Sequence, residues 1–76
     1  MKRIFTFQST HAVLKAEKLI KKQSLAYEIV PTPRHISSDC GMAICLSAQV
    51  ADEAAALVLS RGIHIDNHDY EGSNGI

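Results

Sequence analysis

The chain has 76 residues, and its acidic and basic residues balance at eight each. This length predicts one small domain with a thin core and no deep enclosed substrate cavity. The balanced charge lacks the positive field that drives nucleic-acid binding, and no apolar run approaches the roughly 18 residues of a membrane span. We therefore expect a cytoplasmic protein that binds neither nucleic acid nor membrane, with any chemistry on a loop, in a shallow groove or at an interface.

The first half of the chain predicts a strand, a helix and a second strand. A β-branched and aromatic run, Ile4 to Phe7, indicates the first strand. Ser9 or Thr10 then caps a helix that extends to about Lys22. Its apolar residues recur at intervals of three and four: Val13, Ala16, Leu19 and Ile20.

Lysines occupy the outer flank and the C-terminal end of this helix, at positions 15, 18, 21 and 22. We interpret them as a solvated face whose last members meet the negative pole of the helix dipole. A docking surface for an acidic partner is the alternative. The second strand runs from about Tyr27 to Val30, and Pro31 and Pro33 stop it because proline lacks an amide hydrogen.

The second half begins with an irregular stretch from Thr32 to Gly41, of a length that is often functional in small domains. Met42 to Leu46 then predicts a third strand, with alternate residues on opposite faces. Ser47 caps a helix that extends to about Arg61, with an apolar stripe, and Gly62 ends it. The stripe consists of Val50, Ala54, Leu57 and Val58. Ile63 to about Asp69 predicts a last strand, with Ile63 and Ile65 toward the core.

The resulting order, β-α-β-β-α-β, is typical of the ferredoxin-like α+β fold. We expect a single domain over residues 1–70, with a four-stranded antiparallel sheet and two helices on one face. Residues 71–76 have the composition of a disordered tail. The other face of the sheet would stay open, with Ala43 and Cys45 on a central strand. A homodimer or another partner is predicted to cover it.

The irregular stretch contains the main candidate for chemistry, Cys40. Gly41 would leave space beside its sulfur and permit unusual backbone conformations. Arg34 and His35 would bring positive charge, which stabilises the reactive thiolate, whereas Asp39 would raise the thiol pKa. The residues expected to surround the thiolate are Arg34, His35, Ser37, Ser38, Asp39 and Gly41. The alternative is that Cys40 is an ordinary small residue at the start of a strand.

The second cysteine and the histidines are weaker candidates. In an extended strand Cys40 and Cys45 would lie too far apart for a disulfide, so Cys45 is expected to be a packed or open-face apolar residue. His64 and His68 would sit about 13 Å apart on a strand and cannot chelate one ion. Cys40 with His35 supplies too few ligands for a closed metal site. We predict no metal and no cofactor, and two cysteines in a cytoplasmic protein are expected to be reduced.

Two segments resemble the family described as "Putative Se/S carrier protein-like". The chain matches its opening through Phe7-Gln8-Ser9-Thr10-His11 and Leu14-Lys15-Ala16-Glu17, and its central motif through Pro31-Thr32-Pro33-Arg34-His35-Ile36-Ser37-Ser38-Asp39-Cys40-Gly41-Met42-Ala43. The resemblance extends to about Asp69. The chain departs from the family at His35, where an acidic residue is common, at Asp39, where serine is usual, and at Cys45, where a charged or polar residue often sits.

The resemblance implies a small cytoplasmic bacterial protein in which Cys40 carries sulfur or selenium as a persulfide or perselenide. The implied partners are a donor protein, such as a cysteine desulfurase-type enzyme, and an unknown acceptor. A carrier is thus favoured over a stand-alone enzyme. The alternative of a different class is a non-catalytic interaction or dimerisation module that uses the open sheet face, in which substitutions at Ala43 or Cys45 would matter more than those at Cys40.

Overall fold

The computed structural model describes residues 1–36 and 41–70, which form four strands and two helices. In chain order the elements are β1 (Lys2–Thr6), α1 (Thr10–Lys22), β2 (Glu28–Pro31), β3 (Met42–Ser47), α2 (Ala48–Ser60) and β4 (Asp66–Tyr70). The strands form one sheet in the order β2-β3-β1-β4, and every neighbouring pair is antiparallel. The predicted ferredoxin-like α+β fold is therefore confirmed. The predicted tail, residues 71–76, lies outside the described residues.

Helix α1 begins where its sequence indicates. Ser9 adopts extended backbone geometry, and its hydroxyl oxygen accepts a hydrogen bond from the Ala12 amide at 3.2 Å, which satisfies one of the unpaired donors of the first turn. Val13, Ala16 and Ile20 are buried, as their spacing predicts. Ser47 also occupies the cap position of α2, but its side chain forms no capping hydrogen bond among the described residues.

Both helices pack on one face of the sheet. The core between the helices and the sheet combines large side chains of β1 and β3 with small and branched residues of the helices. Its buried members are Phe5, Phe7, Val13, Ala16, Ile20, Ile44, Leu46, Ala51, Ala54, Val58 and Ile65. The alternation predicted for β3 is confirmed, since Ile44 and Leu46 belong to this core whereas Ala43 and Cys45 lie on the other face.

The last strand begins later than its sequence indicates. The prediction of a strand from Ile63 to Asp69 is wrong at its start, because β4 pairs with β1 only from Asp66, opposite Thr6, to Tyr70. The amide of Ile63 instead donates to the Val58 carbonyl at 3.3 Å, at the C-terminal end of α2. Gly62 ends this helix with a φ of 79°, a left-handed conformation that favours glycine.

No described helix packs on the other face of the sheet (the helix-free face), as expected, yet three residues at the centre of that face are buried. Ile4 and Ala43 are 0% exposed and Cys45 is 4% exposed, although none of them belongs to the core under the helices. Ile4 lies opposite Cys45, and Cys45 lies opposite Glu28. The short side chains of Ala43 and Cys45 are therefore flanked by longer side chains on the neighbouring strands β1 and β2. Lys2 and Glu28 line the same shallow groove as Cys45.

Candidate functional site

The loop between β2 and β3 carries most of the residues predicted to have a function. Its two ends are held together: the Thr32 amide donates to the Gly41 carbonyl at 3.0 Å, next to the last ladder pair, Pro31 opposite Met42. The Ile36 amide donates to the Pro33 carbonyl at 3.0 Å and closes a turn early in the loop. The loop therefore leaves and rejoins the sheet at one point.

Strand β2 reaches this point despite its proline. Pro31 is the last residue of β2 rather than the first residue after it. Because β2 is an edge strand, proline is tolerated there, since one side of such a strand needs no ladder donor. Thus the sheet continues one residue further toward the loop than predicted.

Arg34 and His35 are exposed to solvent on the described part of the loop. Neither side chain has a hydrogen-bond or ion-pair partner among the described residues, so both are available to an anion. The other predicted members of the site, Ser37, Ser38, Asp39 and Cys40, lie outside the described residues. Their relation to Arg34 and His35 stays a prediction.

Gly41 is exposed where the loop rejoins the sheet. Apart from its two chain neighbours, no described residue has an atom within 4 Å of a Cβ atom built at this position. Open space beside the Cys40 sulfur itself stays a prediction. Whether Gly41 adopts an unusual backbone conformation stays a prediction, because its φ depends on residue 40, which lies outside the described residues.

Cys45 is almost fully buried on the helix-free face, although it lines the shallow groove beside Lys2 and Glu28. It is a free thiol that is 4% exposed. Burial raises the pKa of the Cys45 thiol; the positive charge of Lys2 opposes this effect and the negative charge of Glu28 adds to it. Since the thiolate is the reactive form, we expect the Cys45 thiol to react slowly in the folded protein.

The histidines do not converge on a metal site. His64 lies before β4 with its Nε2 3.4 Å from Asp66 Oδ1, whereas His68 lies within β4 with its Nε2 3.4 Å from Thr6 Oγ1. His11 is exposed in the first turn of α1. Across residues 1–36 and 41–70, no three histidine, cysteine, aspartate or glutamate side chains are grouped to bind a metal ion. In the same ranges no helix is long and apolar enough to cross a membrane.

Sequence reasoning missed one polar contact next to β2 and β3, the two strands that flank the loop with the predicted site residues. The Tyr27 hydroxyl, just before β2, donates to the Glu17 carboxylate of α1 at 2.6 Å. This bond, with burial and the charge of Glu17, raises the pKa of Tyr27. The two residues lie ten positions apart on different elements, so no local spacing signals the contact.

The chain thus combines a ferredoxin-like α+β fold with exposed Arg34 and His35 on the described part of the β2–β3 loop and a buried thiol at Cys45. A protein-family model described as "Putative Se/S carrier protein-like" matches residues 2–68. The chain belongs to this family, as the resemblance of its loop predicted. Comparison with the curated proteins and with the solved structures found no match.

Proposed function

We propose that the protein carries sulfur or selenium between two partners on the Cys40 thiol. The observation that carries this proposal is membership of the Se/S carrier family. The family match includes the loop between β2 and β3 that contains Cys40, which we call the cysteine loop. The proposed partners are a persulfide donor such as a cysteine desulfurase-type enzyme and a separate acceptor. The proposed compartment is the cytoplasm, where thiols stay reduced.

The transfer needs only thiol chemistry. The Cys40 thiolate attacks the terminal sulfur of a donor persulfide, R–S–SH; a new S–S bond forms, the donor S–S bond breaks, and the donor leaves as R–S⁻. The product is a Cys40 persulfide, and the transferred sulfur keeps its oxidation state. An acceptor thiolate then attacks the same sulfur and releases the Cys40 thiolate. Selenium would follow the same course as a perselenide.

The described part of the loop supports this chemistry in two ways. Exposed Arg34 and His35 have no partner among the described residues, and positive charge nearby favours a thiolate or a persulfide anion. The open space at Gly41 gives access to a second molecule. Ser37 and Ser38 are proposed to shape the loop, and Asp39 opposes ionisation of the thiol.

Burial of Cys45 supports the assignment to Cys40 by exclusion. A thiol that is 4% exposed, with a raised pKa, is poorly suited to exchange with two successive partners. The alternative function, a non-catalytic interaction module that binds a partner through the helix-free face, remains a prediction. Low exposure of Ile4, Ala43 and Cys45 reduces the apolar surface that such a partner could bury at the centre of this face.

The test is alkylation and sulfur loading in a Cys45→Ala background. Alanine is chosen because a serine would place a hydroxyl in a buried position. We expect the rate of Cys40 alkylation to report a thiol pKa below that of an ordinary cysteine. After incubation with inorganic polysulfide, mass spectrometry should show the gain of one sulfur, removable by dithiothreitol.

The matched control is Cys40→Ser with Cys45 retained. It should keep the fold, measured by circular dichroism, and gain no sulfur. Equal loading of this variant, or a Cys40 thiol that never loads, would overturn the carrier proposal and return attention to the helix-free face.

A further inference from the structure

The first half of α1 presents a cationic surface that the carrier chemistry does not use. We define the α1 basic face as His11, Lys15 and Lys18 around Leu14. All four side chains are exposed, and their spacing of three and four residues places them on one side of the helix. The charge of the whole chain is balanced, so this concentration of positive groups is local.

The α1 basic face begins at the end of the sheet from which the cysteine loop extends. Strand β1 ends at Thr6, opposite Ala43, and α1 starts four residues later at Thr10. Strand β3 begins at Met42, one residue from Ala43, where the loop rejoins the sheet. Because β1 and β3 are antiparallel, the first turn of α1 and both ends of the loop share one end of the sheet.

Neither lysine of the α1 basic face is paired with a carboxylate among the described residues. Glu17 is the one acidic residue of α1, and its carboxylate accepts the Tyr27 hydroxyl at 2.6 Å. Lys15 and Lys18 have no carboxylate within 4.0 Å among residues 1–36 and 41–70, where the ion pairs are Arg3–Asp69 and His64–Asp66. An external carboxylate can therefore pair with these lysines without displacing an internal partner.

The α1 basic face also contains two shallow grooves and an exposed apolar side chain at its centre. Leu14 is 49% exposed and lies in a shallow groove of about 360 Å³ lined by His11, Leu14, Lys15, Glu17 and Lys18. A second groove of about 250 Å³ shares His11 and Lys15 and continues to Gly62, Ile63 and His64. One exposed leucine is ordinary on a protein surface. An exposed leucine that lines a groove together with Lys15 and Lys18 fits an acidic surface that carries an apolar side chain.

We propose that the α1 basic face binds an acidic surface of the persulfide donor that loads Cys40, and holds that donor beside the loop. This inference rests on the proposed carrier function. Charge complementarity of this kind mainly raises the rate of encounter and sets orientation. Nucleic acid is a poorer fit because the overall charge is balanced. A membrane surface is a poorer fit because Leu14 alone supplies the apolar contact.

The probe is a synthetic peptide with one cysteine, one leucine and several glutamates, compared with its glutamine counterpart. With the cysteine blocked, fluorescence anisotropy measures binding; with the cysteine as a persulfide, mass spectrometry measures transfer to Cys40. The test variant is Lys15→Gln/Lys18→Gln. The matched control, Lys21→Gln/Lys22→Gln, removes the same charge at the other end of α1, where both lysines are exposed.

We expect the acidic peptide to bind and transfer sulfur faster than the neutral peptide at low salt, with the advantage lost at high salt. Lys15→Gln/Lys18→Gln should lower both binding and transfer by about tenfold, and Lys21→Gln/Lys22→Gln by about twofold or less. Leu14→Ala should weaken binding without changing its salt dependence. Loading from inorganic polysulfide should be equal in all variants.

Equal behaviour of the two peptides, or equal losses in the two lysine variants, would overturn the docking proposal while polysulfide loading still supports the carrier function. Tighter binding of a single-stranded oligonucleotide or of phosphatidylglycerol vesicles, lost in the Lys15 and Lys18 variant, would also overturn it. Absence of loading from polysulfide would overturn the carrier function itself, whatever the peptides bind.

Discussion

The Thr32 amide donates a hydrogen bond to the Gly41 carbonyl at 3.0 Å, one step beyond the last pair of the β2–β3 ladder. Both ends of the loop that contains Cys40 are therefore tied to the sheet, and in particular to β3, which lies between β2 and β1. The base of this loop is therefore fixed by the same backbone pairing that holds β2 against β3.

The two described glycines 41 and 62 should respond differently to alanine. Gly62→Ala should cost about 1–2 kcal/mol of unfolding free energy, because its φ of 79° is strained for a residue with a Cβ. Gly41→Ala should leave stability within about 0.5 kcal/mol, since its new Cβ meets no described atom within 4 Å. Urea unfolding measures both. A large loss at Gly41 would contradict the open space assigned to it.

Tyr27 should make stability depend on pH in the alkaline range. Its folded-state pKa lies above the ordinary tyrosine value of 10.0. The stabilisation from its hydrogen bond to Glu17 is therefore complete below about pH 10 and is lost as pH rises through the folded pKa. Urea midpoints measured from pH 8 upward should fall above pH 10, and Tyr27→Phe should fall less steeply there. Glu17→Gln removes the charge but keeps an acceptor, and should bring the pKa of Tyr27 down. An unchanged alkaline slope in Tyr27→Phe would refute this assignment.

Cys45 should react slowly with iodoacetamide in the folded protein and rapidly in urea, because burial protects the thiol and raises its pKa. In a Cys40→Ser background this rate belongs to Cys45 alone. Glu28→Gln should accelerate the native reaction and Lys2→Gln should slow it, since Glu28 raises the pKa and Lys2 lowers it. Equal native and unfolded rates would show that the centre of the helix-free face is open.

The two sides of α1 should differ sharply in their contribution to stability. Ile20→Ala removes a fully buried side chain from the core and should cost about 2–5 kcal/mol. Leu14→Ala, at a position that is 49% exposed, should change stability by less than about 0.5 kcal/mol. Thermal unfolding of the two variants checks this. A Leu14→Ala loss as large as that of Ile20→Ala would assign Leu14 to the core rather than to the α1 basic face.

Local patterns predicted the number, order and type of the elements. Ser9 as a cap and the periodicity of Val13, Ala16 and Ile20 depend on residues within one or two turns, so a single segment suffices to identify α1. Alternation in β3 likewise assigned Ile44 and Cys45 to opposite faces before any packing was known. The family resemblance rests on the loop motif, and the match over residues 2–68 confirmed it.

The limits of the strands could not be predicted in this way, because a strand extends only as far as its neighbour pairs with it. Asp66 starts β4 because it lies opposite Thr6, and Pro31 ends β2 because it lies opposite Met42. Neither partner is near in sequence, so no local pattern contains the information.

By itself, the sequence determined the β-α-β-β-α-β order, the core-facing sides of the helices and the family, because each depends on neighbouring residues or on a contiguous motif. Only the tertiary structure decided that Cys45 is buried on the face without helices, that Glu17 is held by Tyr27, and that the α1 basic face begins beside the ends of the cysteine loop. Burial and contacts of this kind form between segments that lie far apart along the chain and are brought together by the sheet. No local sequence pattern therefore contains them.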